Sequence, residues 1–369
     1  MDFSFTEEQE TVGKVARQLF EHRATPERLT ELESGEARFD AALWSELASS
    51  DLLGIALPEA VGGTGGSFLE LGVLLAEVGR SVAPVPLYAS LVLGADTIAR
   101  QGDSALQEKY LRGVVDGSTI LTAGLWEPGN SDPTSPRTTA RHDGDAWRLD
   151  GTKQLVPAAQ LANAIVVSAR TDDGPALFIV DSDAGGVDMA PVRTTHGEPH
   201  ADVALAGAVG QRLCSDVGVE PVQSLYTRAL VGLCATQVGV AERALRIAAS
   251  YTSEREQFGR PIGSFQAVQQ RMADAFIDVE AIRWTTWHAA WLVAEGRPAD
   301  RAAAIAKFWA AEAGARVTAT AQQVHGGMGI DVTYPVSRYF LLAKHIELAL
   351  GSAPQQLVRL GSAYAEGNQ

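Results

Sequence analysis

Cysteine is almost absent: the chain has two, Cys214 and Cys234, and neither falls in a C-x-x-C spacing. A disulfide framework or a thiolate zinc cluster lacks the residues it needs. Long hydrophobic runs are missing too, none approaching the roughly 18 residues that cross a bilayer. That excludes a membrane-spanning role and leaves peripheral association open. The opening MDFSFTEEQETV has neither a basic n-region nor an apolar h-region, so the sequence predicts a reduced, cytoplasmic protein. Positive charge is scarce: 30 Lys and Arg against 45 Asp and Glu leave a formal charge of -15, with no basic cluster. Nucleic acid is gripped by such clusters, so no nucleic-acid partner is expected, and an anionic ligand has to be held locally. What remains is ordinary for a globular protein: 369 residues, 46% apolar and 20% charged, enough for one large domain or two to three that share a core.

The organisation shows in the hydrophobic period. From Phe5 to about Gln101 it is helical, with Val12, Val15, Ala16, Leu19 and Phe20 on one face of the first helix, broken by PEAVGGTGGS. From Ile120 the signal changes to TILTAGLW, AWRLDGTKQLV, NAIVVSAR, ALFIVDS and ADVALAG, short β-branched runs between Gly, Asp and Pro turns. After Pro221 the chain is helical again. There Val268, Met272, Phe276, Val279 and Ile282 recur at three and four, and Trp284, Trp287 and Trp291 extend a bulky stripe whose spacing predicts bundle or subunit packing. The expected fold class is α+β, with an N-terminal helical domain at 1–115, a middle β domain at 116–215 and a C-terminal helical bundle at 216–369.

Four short stretches bear on chemistry. YTSEREQFGRPIGSFQ (251–266) sits where two long helices meet, broken by Gly259 and Pro261–Gly263. Arg255 there suits a pyrophosphate, which a guanidinium grips with two parallel hydrogen bonds; a solvated helix end explains it as well. QQVHGGMGI (322–330) places two glycines after a helix, fit either for close backbone approach to a ligand or for a plain helix stop. GGTGG (62–66) follows no strand and precedes no Lys-Ser, so it reads as a turn and not a P-loop. His196 and His200 have the i, i+4 spacing of a metal pair, but Gly197 and Pro199 between them rule out a regular helix, and no metal is expected. No G-x-S-x-G elbow and no cysteine signature supports acyl-enzyme chemistry.

Together REQFGRPIGSFQ, QVHGGMGI, EPGNSD and the helix, β, helix order resemble the acyl-CoA dehydrogenase family over essentially the whole chain. The resemblance implies a fold of helical domain, β domain and four-helix bundle, assembled as dimers of dimers. It implies FAD as cofactor, an acyl-CoA thioester losing its α-proton and β-hydride, and electron-transfer flavoprotein as acceptor. It also implies a shared cofactor, with the ring on one subunit's β domain and the ADP arm gripped by a neighbour's bundle.

Carried over position by position, the ADP-arm set is whole: Arg255, Phe258, Gln266, Gln323, Gly326 and Gly327. The ring-binding set is eroded. The family's TEPGAGSD turn is here LWEPGNSD, with Trp126 in the place of a small hydroxyl residue and one residue missing. After Lys153, where the family has an aromatic and a Thr, come Gln154, Leu155, Val156 and Pro157. The base is missing as well. The family's Glu precedes a Gly-Thr or Gly-Ser; in AKHIELALGSAPQQLVR (343–359) Leu350 precedes Gly351 and Ser352. The alternative family position, a Glu beside an Arg on an earlier bundle helix, is Thr227 beside Arg228, with Arg228 left as a substrate contact. A positioned base contributes roughly 10²- to 10⁴-fold, and Glu347 is the one weak stand-in.

This asymmetry is similar to the smaller, non-base-bearing subunits of heteromeric actinobacterial dehydrogenases acting on bulky, notably steroid side-chain, CoA thioesters. The expectation is a heterotetramer with a homologous partner that carries the Glu. A homomer using Glu347 and a flavin-free scaffold are the alternatives.

Overall fold

Thr6 starts the first helix. Its hydroxyl accepts from Gln9 N, and the Gln9 side chain accepts in return from Thr6 N, a reciprocal cap. Acids fill the first turn, and His22 and Arg23 the last, as the helix dipole favours. In the computed structural model, residues 4–35, 38–144, 146–214, 218–365 and 367 are described. The order is α1 (Glu7–Arg23), α2 (Pro26–Ser34), α3 (Ala41–Ser49), α4 (Phe68–Ser81), a π-helical stretch Tyr88–Ala95, α5 (Asp96–Gln101) and α6 (Ser104–Val115). Seven strands follow: β1 (Leu121–Gly124), β2 (Thr139–Asp143), β3 (Ala146–Pro157), β4 (Ala164–Thr171), β5 (Gly174–Asp181), β6 (Val187–Val192) and β7 (His200–Arg212). Then come α7 (Val219–Glu254), a hairpin of β8 (Glu256–Gln257) and β9 (Arg260–Pro261), α8 (Gln266–Ala294), α9 (Asp300–His325), α10 (Val336–Leu348) and α11 (Ala353–Ala365). Helices, strands, helices is the α+β order expected.

The described residues of 1–31, 72–83 and 230–369 form one compact unit, and those of 32–71 and 84–229 a second. In the second, the strands run β1-β4-β2-β3-β7-β5, and β5 also pairs with β4. The path from β4 to β5 thereby closes on itself, so the strands along it have neighbours on both sides, while β1 on β4 and β6 on β7 are attached outside it. Leu149, Ile165, Val167, Phe178, Val180 and Val203 point inward as its core. Two strands, β2 and β6, were not legible in the sequence. Most of their side chains face outward or are half-buried, so TARHD and VDMAPV lack an apolar alternation.

In the first unit α9 packs against α8, α10 and α11. It does so with fully buried Ala303, Ala306, Ala310 and Ala313, short side chains that let helix axes approach. α4 and α7 meet more closely still. A Cβ at Gly239 would stand 1.8 Å from Ala76 O, and one at Gly79 2.1 Å from Thr236 O. Backbone cannot yield as a side-chain tip does, so Gly239→Ala is expected to destabilise by at least about 1–3 kcal/mol. Gly361→Ala, where an added Cβ meets nothing within 4 Å on α11, is expected to stabilise by up to about 1 kcal/mol through helix propensity; paired urea melts followed by circular dichroism check both.

An ionic chain ties four helices of the same unit. Glu77 accepts from Arg17 (2.6 Å), Glu242 accepts from Arg283 (2.7 Å), and Arg80 pairs with both carboxylates. The expected stripe on α8 is partly corrected. Ala275, Val279 and Ile282 define the buried line, and Phe276, about 100° round from Ala275, is exposed together with Ile277 and Trp284. Trp287 packs over Gly72 and edge-on to Phe5 at 5.1 Å. Val15, expected on the buried face of α1, is also exposed. Among the described residues no helix is long and apolar enough to cross a membrane.

Candidate functional site

Arg255 lies just past the end of α7. Its N–H donates to Tyr251 O and its carbonyl accepts from Ile262 N, both at 2.8 Å, which fixes it at the base of the β8–β9 hairpin. The two connecting residues, Phe258 (φ 55°) and Gly259 (φ 77°), are both left-handed. Two-residue hairpin turns of the primed type require this and usually take Asn-Gly. A phenylalanine there costs roughly 1–2 kcal/mol of backbone strain, and Phe258 is 93% exposed. Its ring contact within the chain is edge-on to Phe265 at 6.1 Å, and a strained aromatic held out in water suits a surface that something else docks against. Gln266 opens α8, whose N-terminus has no side-chain cap.

The second segment is the end of α9. Gln323 is exposed, and its carbonyl accepts from the Gly326 N–H. Gly326 has φ 59° and ψ -132°, a conformation for glycine. A Cβ at Gly327 would meet nothing within 4 Å, whereas one at Gly329 would strike Gln322 O at 2.4 Å. Internal packing therefore explains Gly329 and leaves the backbone at 326–327 open to a visitor. Tyr251 of α7 stacks on His325 of α9 with ring centroids 4.3 Å apart, so residues some 70 positions apart in sequence share one patch.

At the turn between α10 and α11, Leu350 (φ 54°) and Gly351 (φ 102°) are left-handed. Lys307 of α9, with no exposed surface, donates to Glu347 O (3.1 Å) and Gly351 O (2.9 Å), while Gln356 donates to Leu350 O (3.2 Å). Burial pushes the Lys307 amine down to about 8 against the pull of Cys234 and Glu347. Its ammonium suits the carbonyl end of a helix. The Glu347 carboxylate pairs with Lys344 on its own helix, which leaves Leu350 with no carboxylate in its place.

In the β-containing unit Trp126 bridges Gln154, whose N–H donates to Trp126 O (2.8 Å). Beside them is a buried ion pair, Lys153 Nζ to Glu127 Oε1 at 2.7 Å. Glu127 also accepts from Thr138 Oγ1 (2.6 Å), Thr138 N (2.9 Å), Arg137 N (2.6 Å) and Asn130 Nδ2 (3.1 Å). Burial pushes this carboxyl up, but the Lys153 ammonium and these donors hold it at about 2. A β-bulge follows Lys153 and turns Leu155 outward at φ 52°, with its N–H on Asp202 Oδ1. Arg228 is buried, its guanidinium 3.2 Å from Asp96 Oδ2 and over the Phe68 ring, and Thr227 accepts from Gln223. His200 is buried with its Nδ1–H on Glu198 O, and burial, then neighbouring His196, lowers it to about 4.

Three family models match: acyl-CoA dehydrogenase N-terminal domain at residues 6–118, middle domain at 124–205 and C-terminal domain at 218–363. The chain is 41% identical to acyl-CoA dehydrogenase FadE27 of Mycobacterium tuberculosis, over 99% of each chain. The chain belongs to the acyl-CoA dehydrogenase family. Among solved structures, a Tcur3481–Tcur3483 steroid ACAD variant superposes with a TM-score of 0.94 at 46% identity, over 98% of this chain and 99% of that one. The ChsE4–ChsE5 complex of Mycobacterium tuberculosis gives 0.94 at 42%, over 99% of each.

Acyl-CoA dehydrogenases are oxidoreductases acting on CH–CH bonds, and they bind FAD. The exposed set of this dehydrogenase fits part of that cofactor: a guanidinium, two amides, a projecting aromatic and an unobstructed glycine backbone suit a dinucleotide's phosphates and adenine. Leu155 and Pro157, in contrast, offer no side-chain donor. Sequence reasoning passed over Lys153 and Lys307, although each left a trace. Lys153 shares the inward parity of Leu149 in β3, and Lys307 stands four residues after Ala303 and seven before Gly314 in an alanine-rich helix face.

Proposed function

We propose that this chain is the non-base-bearing subunit of a heteromeric FAD-dependent acyl-CoA dehydrogenase. Arg255, Phe258, Gln266, Gln323 and the Gly326–Gly327 backbone hold the ADP arm of a flavin whose ring lies on a homologous partner, and the partner supplies the catalytic Glu. The substrate class is a bulky, steroid side-chain acyl-CoA, the assembly is a dimer of heterodimers, and electron-transfer flavoprotein accepts the electrons. Bound FAD supplies the hydride acceptor. The observation that carries the reading is the turn at Leu350: its fold is kept by Lys307 and Gln356, yet no carboxylate stands on it, and Glu347 is taken by Lys344. Similarity to the Tcur3481–Tcur3483 steroid ACAD and to the ChsE4–ChsE5 complex supports the heteromer, and the first of them the substrate class. The exposed Phe276, Ile277 and Trp284 give it apolar surface to bury.

Flavin content and native mass test this, for the chain purified alone and after co-expression with its nearest homologue. Colourless protein alone and one flavin per pair in a mixed tetramer is the expected result, with Glu347→Gln leaving turnover of the complex intact. One flavin per chain and full activity from the chain alone would overturn it.

A further inference from the structure

The hairpin that carries Phe258 presents a second guanidinium that the reading above does not use. Gln257 pairs with Arg260 across β8 and β9, and Ile262 N donates to Arg255 O two residues further along. Successive strand residues point to opposite faces, so Arg255, Gln257 and Arg260 share one face and Glu256 takes the other. Arg255 and Arg260 are then diagonal neighbours, no more than about 7–8 Å apart and within reach of one another's long side chains. Both are exposed. Although the chain carries a formal charge of -15, no carboxylate among the described residues meets either guanidinium. Glu254, just before them on α7, accepts instead from Ser250 one turn back.

Arg260 lies over the Phe265 ring, 4.2 Å from its centroid, and Phe258 meets the same ring edge-on. Phe265 is the N-cap residue of α8, whose first turn carries no acid, so the helix end offers this cation no counter-charge. Arginines also lie over Trp291 and Tyr364, and the stack alone does not distinguish Arg260. Its place on the Arg255 face does, because like charges on one face destabilise a hairpin unless something balances them. We infer that Arg260 is a second phosphate-binding residue of the ADP-arm site, and that Arg255 and Arg260 take one pyrophosphate between them. The inference rests on the assignment of this patch to the ADP arm and adds to it a charge outside the set carried over from the family. A dinucleotide bears a negative charge on each of its two linked phosphates, which suits two guanidiniums at this separation. The Phe265 ring limits the freedom of the long Arg260 side chain, so less order is lost when the anion arrives.

The test is the FAD affinity of the co-expressed complex after its flavin has been removed, read by flavin fluorescence at low and high salt. Arg260→Gln is expected to weaken FAD roughly 10- to 100-fold at low salt, the worth of a charge-assisted hydrogen bond. Arg260→Lys keeps the charge without the planar fork and recovers part of the loss. The gap between wild type and Arg260→Gln narrows in about 1 M salt, where exposed charges are screened within about 3 Å, while the urea midpoint of the chain stays near that of wild type. Arg297→Gln removes the comparable cation over Trp291 and leaves FAD affinity unchanged. Wild-type affinity in Arg260→Gln, with a loss in Arg255→Gln, would overturn the role of Arg260 and leave the ADP-arm site standing. A loss in Arg260→Gln that ignores salt and comes with a lowered urea midpoint would make the residue structural and overturn the inference too. A complex that takes up no FAD, or one in which neither arginine matters, would overturn the site and the inference together.

Discussion

Lys153→Met is expected to destabilise the protein by about 3–5 kcal/mol, the range for removing one partner of a buried ion pair, and to lower the urea midpoint accordingly. The Glu127 carboxylate would keep Thr138, Arg137 and Asn130 as donors but lose its counter-charge in a site closed to water. Pairing Lys153→Met with Glu127→Gln removes the stranded charge and is expected to recover more than half of the loss. If the single and double variants melt alike, the cost comes from lost Lys153 packing and not from the charge. The pH dependence follows from the same pair. Glu127 is held at about 2 in the fold against an ordinary 4.5, so its contribution is complete above 4.5 and is lost as pH falls from there toward 2. The double variant should lack that part of the acid transition. The pair also joins the segment that begins at Trp126 to β3, beside the Trp126–Gln154 backbone bridge.

The second large effect concerns the exposed hairpin. Phe258→Gly is expected to make the chain more stable and the cofactor-bearing complex worse. Glycine relieves roughly 1–2 kcal/mol of left-handed strain, and little packing is lost, because the ring is almost wholly exposed. Flavin affinity of the co-expressed complex, followed by loss of bound flavin on dilution, should fall for Phe258→Gly, and by roughly 10- to 100-fold for Arg255→Gln, the worth of a charge-assisted hydrogen bond of about 1.5–3 kcal/mol. Opposite signs for stability and affinity at one residue distinguish a strained contact from an accident of sequence. A Phe258→Gly complex that retains flavin as wild type does would remove this residue from the site.

Most of the architecture was legible because local periodicity carries it. The helical blocks, five of the seven strands of the closed sheet and the break between α7 and α8 follow from apolar spacing and from Gly and Pro punctuation, which act over a few residues. β2 and β6 escaped because they are sheet members that bury few side chains. Phe276 was misplaced because a spacing of four from Met272 fixes an angle on the helix and not which side of that angle the neighbouring helices cover. The buried ions Glu127, Lys153 and Lys307 were illegible for a related reason: charge is read as surface until a partner is known, and the two ions of the pair lie 26 residues apart while the carbonyls that Lys307 meets lie 40 and 44 residues on.

The sequence by itself determined the family and the absence of a carboxylate at residue 350, and it holds the residues from Arg255 to Gly327 that the resemblance marks for an ADP arm, since all three are matters of residue identity in a local motif. Only the tertiary structure decided that Phe258 is strained and exposed, that Glu347 is engaged by Lys344, that Lys307 maintains the turn at Leu350, and that Tyr251 and His325 bring two distant segments together. The contacts of Lys307 and of Tyr251 with His325 join residues 40 and more positions apart, which no short window contains, and the exposure of Phe258 and the direction of the Glu347 side chain, though local, depend on what the surrounding fold covers.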